Sequence, residues 1–209
     1  IIMERRNFLK TAILGSIAGV AGLKSTRLLA RNTSSREEAK QSGSFPDLVA
    51  VMGGEPEQLY ARAIQEMGGM KRYIKPGMKV VVKPNIGWDK KPEFAACTNP
   101  GLVAAIVRDC LAAGASEVKV FDHTCDQWRG CYENSGIQEA VLQAGGKMVN
   151  AHEERDYRET DLPAGIRMKK AKIHEALLDC DAWINVPILK NHGGARMTRI
   201  SLVLLLAVM

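Results

Sequence analysis

Lys79-Val80-Val81-Val82-Lys83-Pro84-Asn85 is the stretch on which the fold turns. Three consecutive valines between charged ends, entered through a Pro76-Gly77 turn, make a short apolar run with no polar face. Such a run is a strand covered on both sides, the hallmark of parallel rather than antiparallel pairing. Downstream, Asn99-Pro100 predicts a helix N-cap followed by a proline at the first helical position. The helix after it carries Leu102, Val103, Ile106, Val107, Cys110 and Leu111 on one face and stops at Gly114. Glu117 to Phe121 is read as a second strand of this set. Gly136 to Ala144 is read as a helix, Lys147-Met148-Val149 as a short strand and Ala182-Trp183-Ile184-Asn185-Val186 as another. Upstream, Leu48-Val49-Ala50-Val51-Met52 reads as a strand. Glu57 to Met67 reads as a helix with Leu59, Tyr60, Ala63, Ile64 and Met67 on one face.

Alternation of strand and helix predicts an α/β fold over residues 48–209: a mostly parallel sheet with helices on both faces, Rossmann-like. Neither a Gly-x-Gly-x-x-Gly nor a Walker loop occurs, so the usual nucleotide signatures are missing from the sequence. Asn32 to Asp47 is polar and Ser-rich, with too little apolar content to pack, and is read as a flexible linker.

The chain has 209 residues, 46% hydrophobic and 25% charged, which excludes wholesale disorder and a multi-span membrane protein. Its formal charge is +6. Six bases (Arg5, Arg6, Lys10, Lys24, Arg27, Arg31) face one acid, Glu4, within residues 1–31, so +5 of that charge is local. The remainder is close to neutral, and nucleic acid is a poor partner for it.

The basic segment has three parts: Arg5-Arg6-Asn7-Phe8-Leu9-Lys10, an uncharged Ala/Gly-rich stretch from Thr11 to Leu23, then Lys24, Arg27 and Arg31. The apolar stretch reaches only about 20 Å as a helix, short of the roughly 30 Å hydrocarbon core. This pattern resembles a bacterial twin-arginine (Tat) signal peptide over residues 1–31, with Met3 as the start. An amphipathic basic anchor helix is the alternative, weakened by Gly15, Gly19 and Gly22. The resemblance implies the Tat translocation machinery as a partner and a periplasmic or extracytoplasmic location. Leu28-Leu29-Ala30 is a poor small-x-small cleavage pattern, so membrane contact through an uncleaved signal stays open.

In open parallel sheets, ligands bind beyond the carboxyl ends of the strands. Those ends carry Lys83 and Asn85, then Asp122 and His123, then Lys190 and His192; Asn99 starts the helix nearest this edge. Two lysines, an amide, a carboxylate and two imidazoles suit a small anionic ligand, or a divalent metal held through Asp and His. In an enzymatic version, Lys83 and Lys190 would neutralise developing negative charge, and His123 or His192 would carry the proton.

The same residues carry a family resemblance. Lys83-Pro84-Asn85, Thr98-Asn99-Pro100, Gly114-Ala115-x-x-Val118-x-Val120-x-Asp122, Asn134-Ser135-Gly136-Ile137 and Asp181 to Lys190-x-His192 with Thr198 resemble the family known as domain of unknown function 362. The pieces stand in the family's order over roughly residues 48–198. The resemblance implies no particular reaction, as the family name concedes. Some relatives carry appended ferredoxin modules, which implies iron–sulfur or redox contexts for part of the family. This chain has no Cys-x-x-Cys. After Thr198 it departs from the family pattern into the apolar run Ile200–Val208, read either as a last buried strand or as a truncated or frame-shifted end.

Five cysteines remain outside the basic leader. Cys110 falls on an apolar helix face and Cys180 lies between acids. Cys97, Cys125 and Cys131 leave three readings open: a Cys125–Cys131 disulfide after export or simple packing, a soft-metal or iron–sulfur ligand set completed by His123 or Asp122, or free redox-active thiols. Three functions follow as expectations. The first is an exported protein binding an anionic ligand or metal at the strand ends. The others are a redox or electron-transfer accessory protein and a non-catalytic fragment.

Overall fold

The computed structural model describes residues 45–192 together with 196 and 197, of which 192, 196 and 197 are described by backbone alone. The expected leader over residues 1–31, most of the linker and the run Ile200–Val208 lie outside the described residues.

The valine run folds as read. Strand β1 (Lys79–Pro84) sits inside a four-stranded parallel sheet with β2 (Glu117–Val120), β3 (Lys147–Met148) and β6 (Ala182–Val186), in the order β3-β2-β1-β6. Val80, Val81 and Val82 are each at most 1% exposed, which confirms burial on both faces. Burying each such side chain contributes about 1.5–3 kcal/mol. On one face, Val80, Val82, Val118 and Val120 pack with helices α1 (Pro56–Glu66), α2 (Pro100–Ala112), α3 (Trp128–Asn134) and α4 (Ile137–Gln143). On the other, Val81 and Phe121 pack with Ala151 and with Ala176 of α5 (Glu175–Leu178). Helices therefore cover both faces, but unequally, and Trp183 of β6 is still 41% exposed.

Successive strands β1, β2 and β3 step to one side; the chain then returns to place β6 on the other side of β1. The reversal puts a topological switch point between β1 and β6, where open α/β sheets form a crevice at their carboxyl ends. Helix α2 begins as expected: the Asn99 side chain accepts from the Leu102 amide at 3.0 Å, with Pro100 first in the helix. Gly114, at φ +103°, ends the turn after it; that backbone conformation favours glycine, and a Cβ there would sit tightly, 3.1 Å from Pro76 Cα.

One expected element is absent and several were not foreseen, helix α3 and two strand pairs among them. Leu48–Met52 is not a strand: it is irregular, pairs with no strand among the described residues, and leaves Leu48 and Met52 79% and 86% exposed. Its β-branched composition has no neighbouring ladder to join, and without a partner β-propensity counts for little. Conversely, β4 (Tyr157–Asp161) and β5 (Lys170–His174) form an antiparallel hairpin, with Tyr157 opposite His174 and Asp161 opposite Lys170. Their sequences are too charged to be read as strands. A last short pair, β7 (Asn191–His192) and β8 (Arg196–Met197), is also antiparallel. Among the described residues no helix is long and apolar enough to cross a membrane.

Candidate functional site at the strand ends

Alternation along β1 sends Lys83 to the same face as Val81, level with Asn185 of β6. There its ammonium meets the Asp122 carboxylate at 2.5 Å, with the two side chains 1% and 0% exposed. The other Asp122 oxygen accepts from the Ile86 amide at 2.7 Å. The Tyr132 hydroxyl accepts from the Asp122 amide at 3.1 Å and faces the carbonyls of Asp122 and Val149 at 2.9 and 3.2 Å. Burial pulls Lys83 below the ordinary lysine range and pushes Asp122 above the ordinary carboxylate range; each partner's charge opposes the other's shift. Both shifts narrow the gap across which a proton would move between them.

One residue further on, Thr98 joins the ends of β1 and β6. Its hydroxyl accepts from the Asn85 amide at 2.9 Å and donates to Val186 O at 2.8 Å, while its own amide donates to Asn85 O at 2.9 Å. Lys190, just past β6, crosses the switch point. Its ammonium donates to Asn85 Oδ1 at 2.6 Å and to Ala96 O. Burial lowers the Lys190 pKa, with Cys97, Cys125 and Asp122 acting in the opposite sense. The structure thus brings Lys83, Asn85, Cys97, Asp122, Cys125 and Lys190 together at the strand-end edge of the sheet.

Other expected groups stand elsewhere. Asn99 is exposed and serves as the α2 cap. The start of α2 already faces a carboxylate: a Cβ built on Gly101 would fall 1.5 Å from Glu57 Oε1. The His192 side chain lies outside the described residues. His123 is half-buried in a separate cluster, donating from Nδ1 to Ala151 O at 2.8 Å. It stacks on His152 with ring centroids 4.7 Å apart, and Trp128 stacks on His152 at 5.9 Å. Burial, then the neighbouring His123, lowers the His152 pKa.

All five cysteines are free thiols, so Cys125 and Cys131 are not paired. Cys97 is buried, with Sγ 3.3 Å from Trp88 O, and Cys131 lies in the apolar core beside Tyr132. Burial raises the thiols of Cys97 and Cys125, and raises Cys131 to about 11, so all three are protonated at neutral pH. Among the described residues no three His, Cys, Asp or Glu side chains converge to hold a metal ion. A cavity of about 590 Å³ opens at the hairpin, lined by His152, Glu154, Glu159, Lys170, Ala171 and Lys172, and none of the strand-end groups lines it. Thr98 and Tyr132 were not singled out as functional from sequence; a threonine before an N-cap and a tyrosine on a helix face carry no distinguishing local signal.

An open parallel sheet of order β3-β2-β1-β6 with helices on both faces, and charged groups gathered at its switch point, defines an α/β protein. The chain belongs to the family Domain of unknown function (DUF362), which matches residues 80–200. It is similar to the "Thylakoid-associated protein sll1697" of Synechocystis sp., at 30% identity over 135 residues, 65% of this chain and 40% of that protein. The chain thus spans about two fifths of the relative's length. No solved structure matches it.

Two predictions follow from the buried groups. Lys83→Met leaves the Asp122 carboxylate buried without its counter-charge and should cost about 3–5 kcal/mol in urea unfolding, most of it recovered in Lys83→Met/Asp122→Leu. A single-variant cost under about 1 kcal/mol would contradict a buried ion pair. For His152, the folded pKa lies below the ordinary value, so the unfolded chain binds the proton first as pH falls. Stability should therefore drop as pH is lowered through the ordinary histidine range toward the folded pKa. The drop should be smaller in His152→Gln, read from thermal unfolding across that range.

Proposed function

We propose that this chain is an exported α/β protein that binds a small anionic ligand in the β1–β6 crevice, with the Lys190 ammonium as its principal contact. The observation that carries the reading is the Lys190–Asn85 bond across the switch point. It fixes a half-buried cation where sheets of this topology take their ligands. Two of the three ammonium donors are directed to Asn85 and Ala96, which leaves a third to meet an anion. Asn85, 4% exposed and clamped by Thr98, gives the cation a rigid seat. The Lys83–Asp122 pair beneath is already neutral as a unit, so Lys190 supplies the uncompensated positive charge.

The full chain should bind inorganic phosphate or succinate in calorimetric titration. Lys190→Gln should weaken that binding by about tenfold or more, the loss of a charge-assisted hydrogen bond. Equal binding by wild type and Lys190→Gln would sink the reading. Zinc binding that depends on Cys97 and Cys125, without anion binding, would replace it with the metal alternative.

Export rests on the twin-arginine run and the short apolar stretch of residues 1–31. A location at or across a membrane also accords with the thylakoid association in the relative's name. Residues 1–47 fused to a folded reporter should direct it to the periplasm, and Arg5→Lys/Arg6→Lys should hold it in the cytoplasm. Export that is indifferent to the two arginines would contradict this assignment.

A further inference from the structure

The β4–β5 hairpin ends in a loop whose backbone is closed on itself. The Leu162 amide donates to Lys169 O at 2.7 Å and the Gly165 amide to Leu162 O at 2.9 Å. Gly165 is packed so tightly that an added Cβ would lie 1.9 Å from Met168 O, a backbone atom that cannot swing aside. This closed loop turns two large apolar side chains outward: Ile166 is 93% exposed and Met168 55% exposed. The Lys169 ammonium folds back onto Gly165 O at 2.8 Å, which secures the turn further. A braced loop that presents apolar side chains to water gains nothing from them within its own fold.

Charge surrounds the apolar tip. Arg167 and Lys169 flank Met168, and Lys170 and Lys172 follow on β5. Lys170 is paired with Glu159 and Lys172 with Glu154, and Asp161 adds one acid at the base of the loop. Arg167 and Lys169 are in no ion pair among the described residues, so the tip itself is cationic. Apolar side chains at a projecting tip with long cationic side chains beside them match one occupant chemically. That occupant is a bilayer surface carrying anionic lipid, where the apolar groups enter the acyl boundary and the cations stay among the headgroups.

We propose that the Leu162–Lys169 loop is a membrane-docking tip that inserts Ile166 and Met168 into the interface of an anionic bilayer. The contact uses none of the strand-end groups, and it stands whether or not the anion-binding reading does.

Co-sedimentation of the full chain with sucrose-loaded vesicles tests it, using phosphatidylcholine alone and phosphatidylcholine mixed with phosphatidylglycerol. Wild type should bind the mixed vesicles and bind phosphatidylcholine far more weakly. Ile166→Ser/Met168→Ser should lower the partition about tenfold or more, through loss of buried apolar area. Arg167→Gln/Lys169→Gln should lower it about fivefold for each charge removed, and only on the anionic vesicles. All four side chains are exposed, so circular dichroism should match wild type; Arg167→Gln alone, which leaves the Lys169–Gly165 bond in place, should still lower anionic-vesicle binding about fivefold. Ile166→Trp should give fluorescence quenched by brominated lipid beyond the wild-type signal, which reports insertion at the tip itself. Binding equal in wild type and both double variants would assign the membrane contact to residues 1–31 and overturn the proposal. No vesicle binding, or loss of the exposed tip to self-association or an acidic protein without vesicle binding, would overturn it equally.

Discussion

A lysine ammonium and an aspartate carboxylate, buried together where two parallel strands end, hold the rest of this molecule's polar edge in place. The Lys83–Asp122 pair is too buried to exist as separated charges, so the chain must keep β1 and β2 in the register that joins them. The second Asp122 oxygen then takes the Ile86 amide, and the path of the backbone leaving β1 is fixed. Everything that reaches the crevice follows from that path. Asn85 faces Lys190, Thr98 returns to bind Asn85 and Val186, and Gly87 O receives the Cys125 amide at 2.9 Å. A hydrophobic pair could have held the strands as well, but it would not have offered the fixed carboxylate to which Ile86 is tied.

Much of this was legible in the sequence. The valine run announced a strand buried on both faces, and the residues just past each strand announced the polar edge. Lys83, Asn85, Asp122 and Lys190 all stand there for the simple reason that strand ends are the only places a parallel sheet presents its loops. Which of these residues touch was not legible. Lys190 meets Asn85 across 105 positions, and only the order β3-β2-β1-β6 makes them neighbours. His123 shows the opposite case: it leaves β2 beside Asp122, yet its ring turns to Ala151 and His152 because the loop after β3 offers a carbonyl and a stacking partner. Local reading also overvalued Leu48–Met52, whose composition suits a strand but whose backbone has no ladder to join. The β4–β5 hairpin was missed because charge on both strands hid their alternation.

The strand-end groups and the hairpin tip differ in chemistry. The strand-end crevice is polar and largely buried, with one cation set by the Asp122 carboxylate and the other by the Asn85 amide and the Ala96 carbonyl. The hairpin tip is closed by backbone hydrogen bonds, and its apolar side chains Ile166 and Met168 are exposed. The two proposals draw on this difference, since a small-ligand site needs convergent groups and a docking surface needs projecting ones.

Native-state hydrogen exchange at the amides of Ile86 and Thr98 tests the central claim most directly. If the Lys83–Asp122 pair fixes the end of β1, these two amides should exchange only by global unfolding, with the same opening free energy as Val82 in the strand core. Exchange of Ile86 by local opening, at the rate of the surface loop around Lys90, would show that the pair does not organise the crevice.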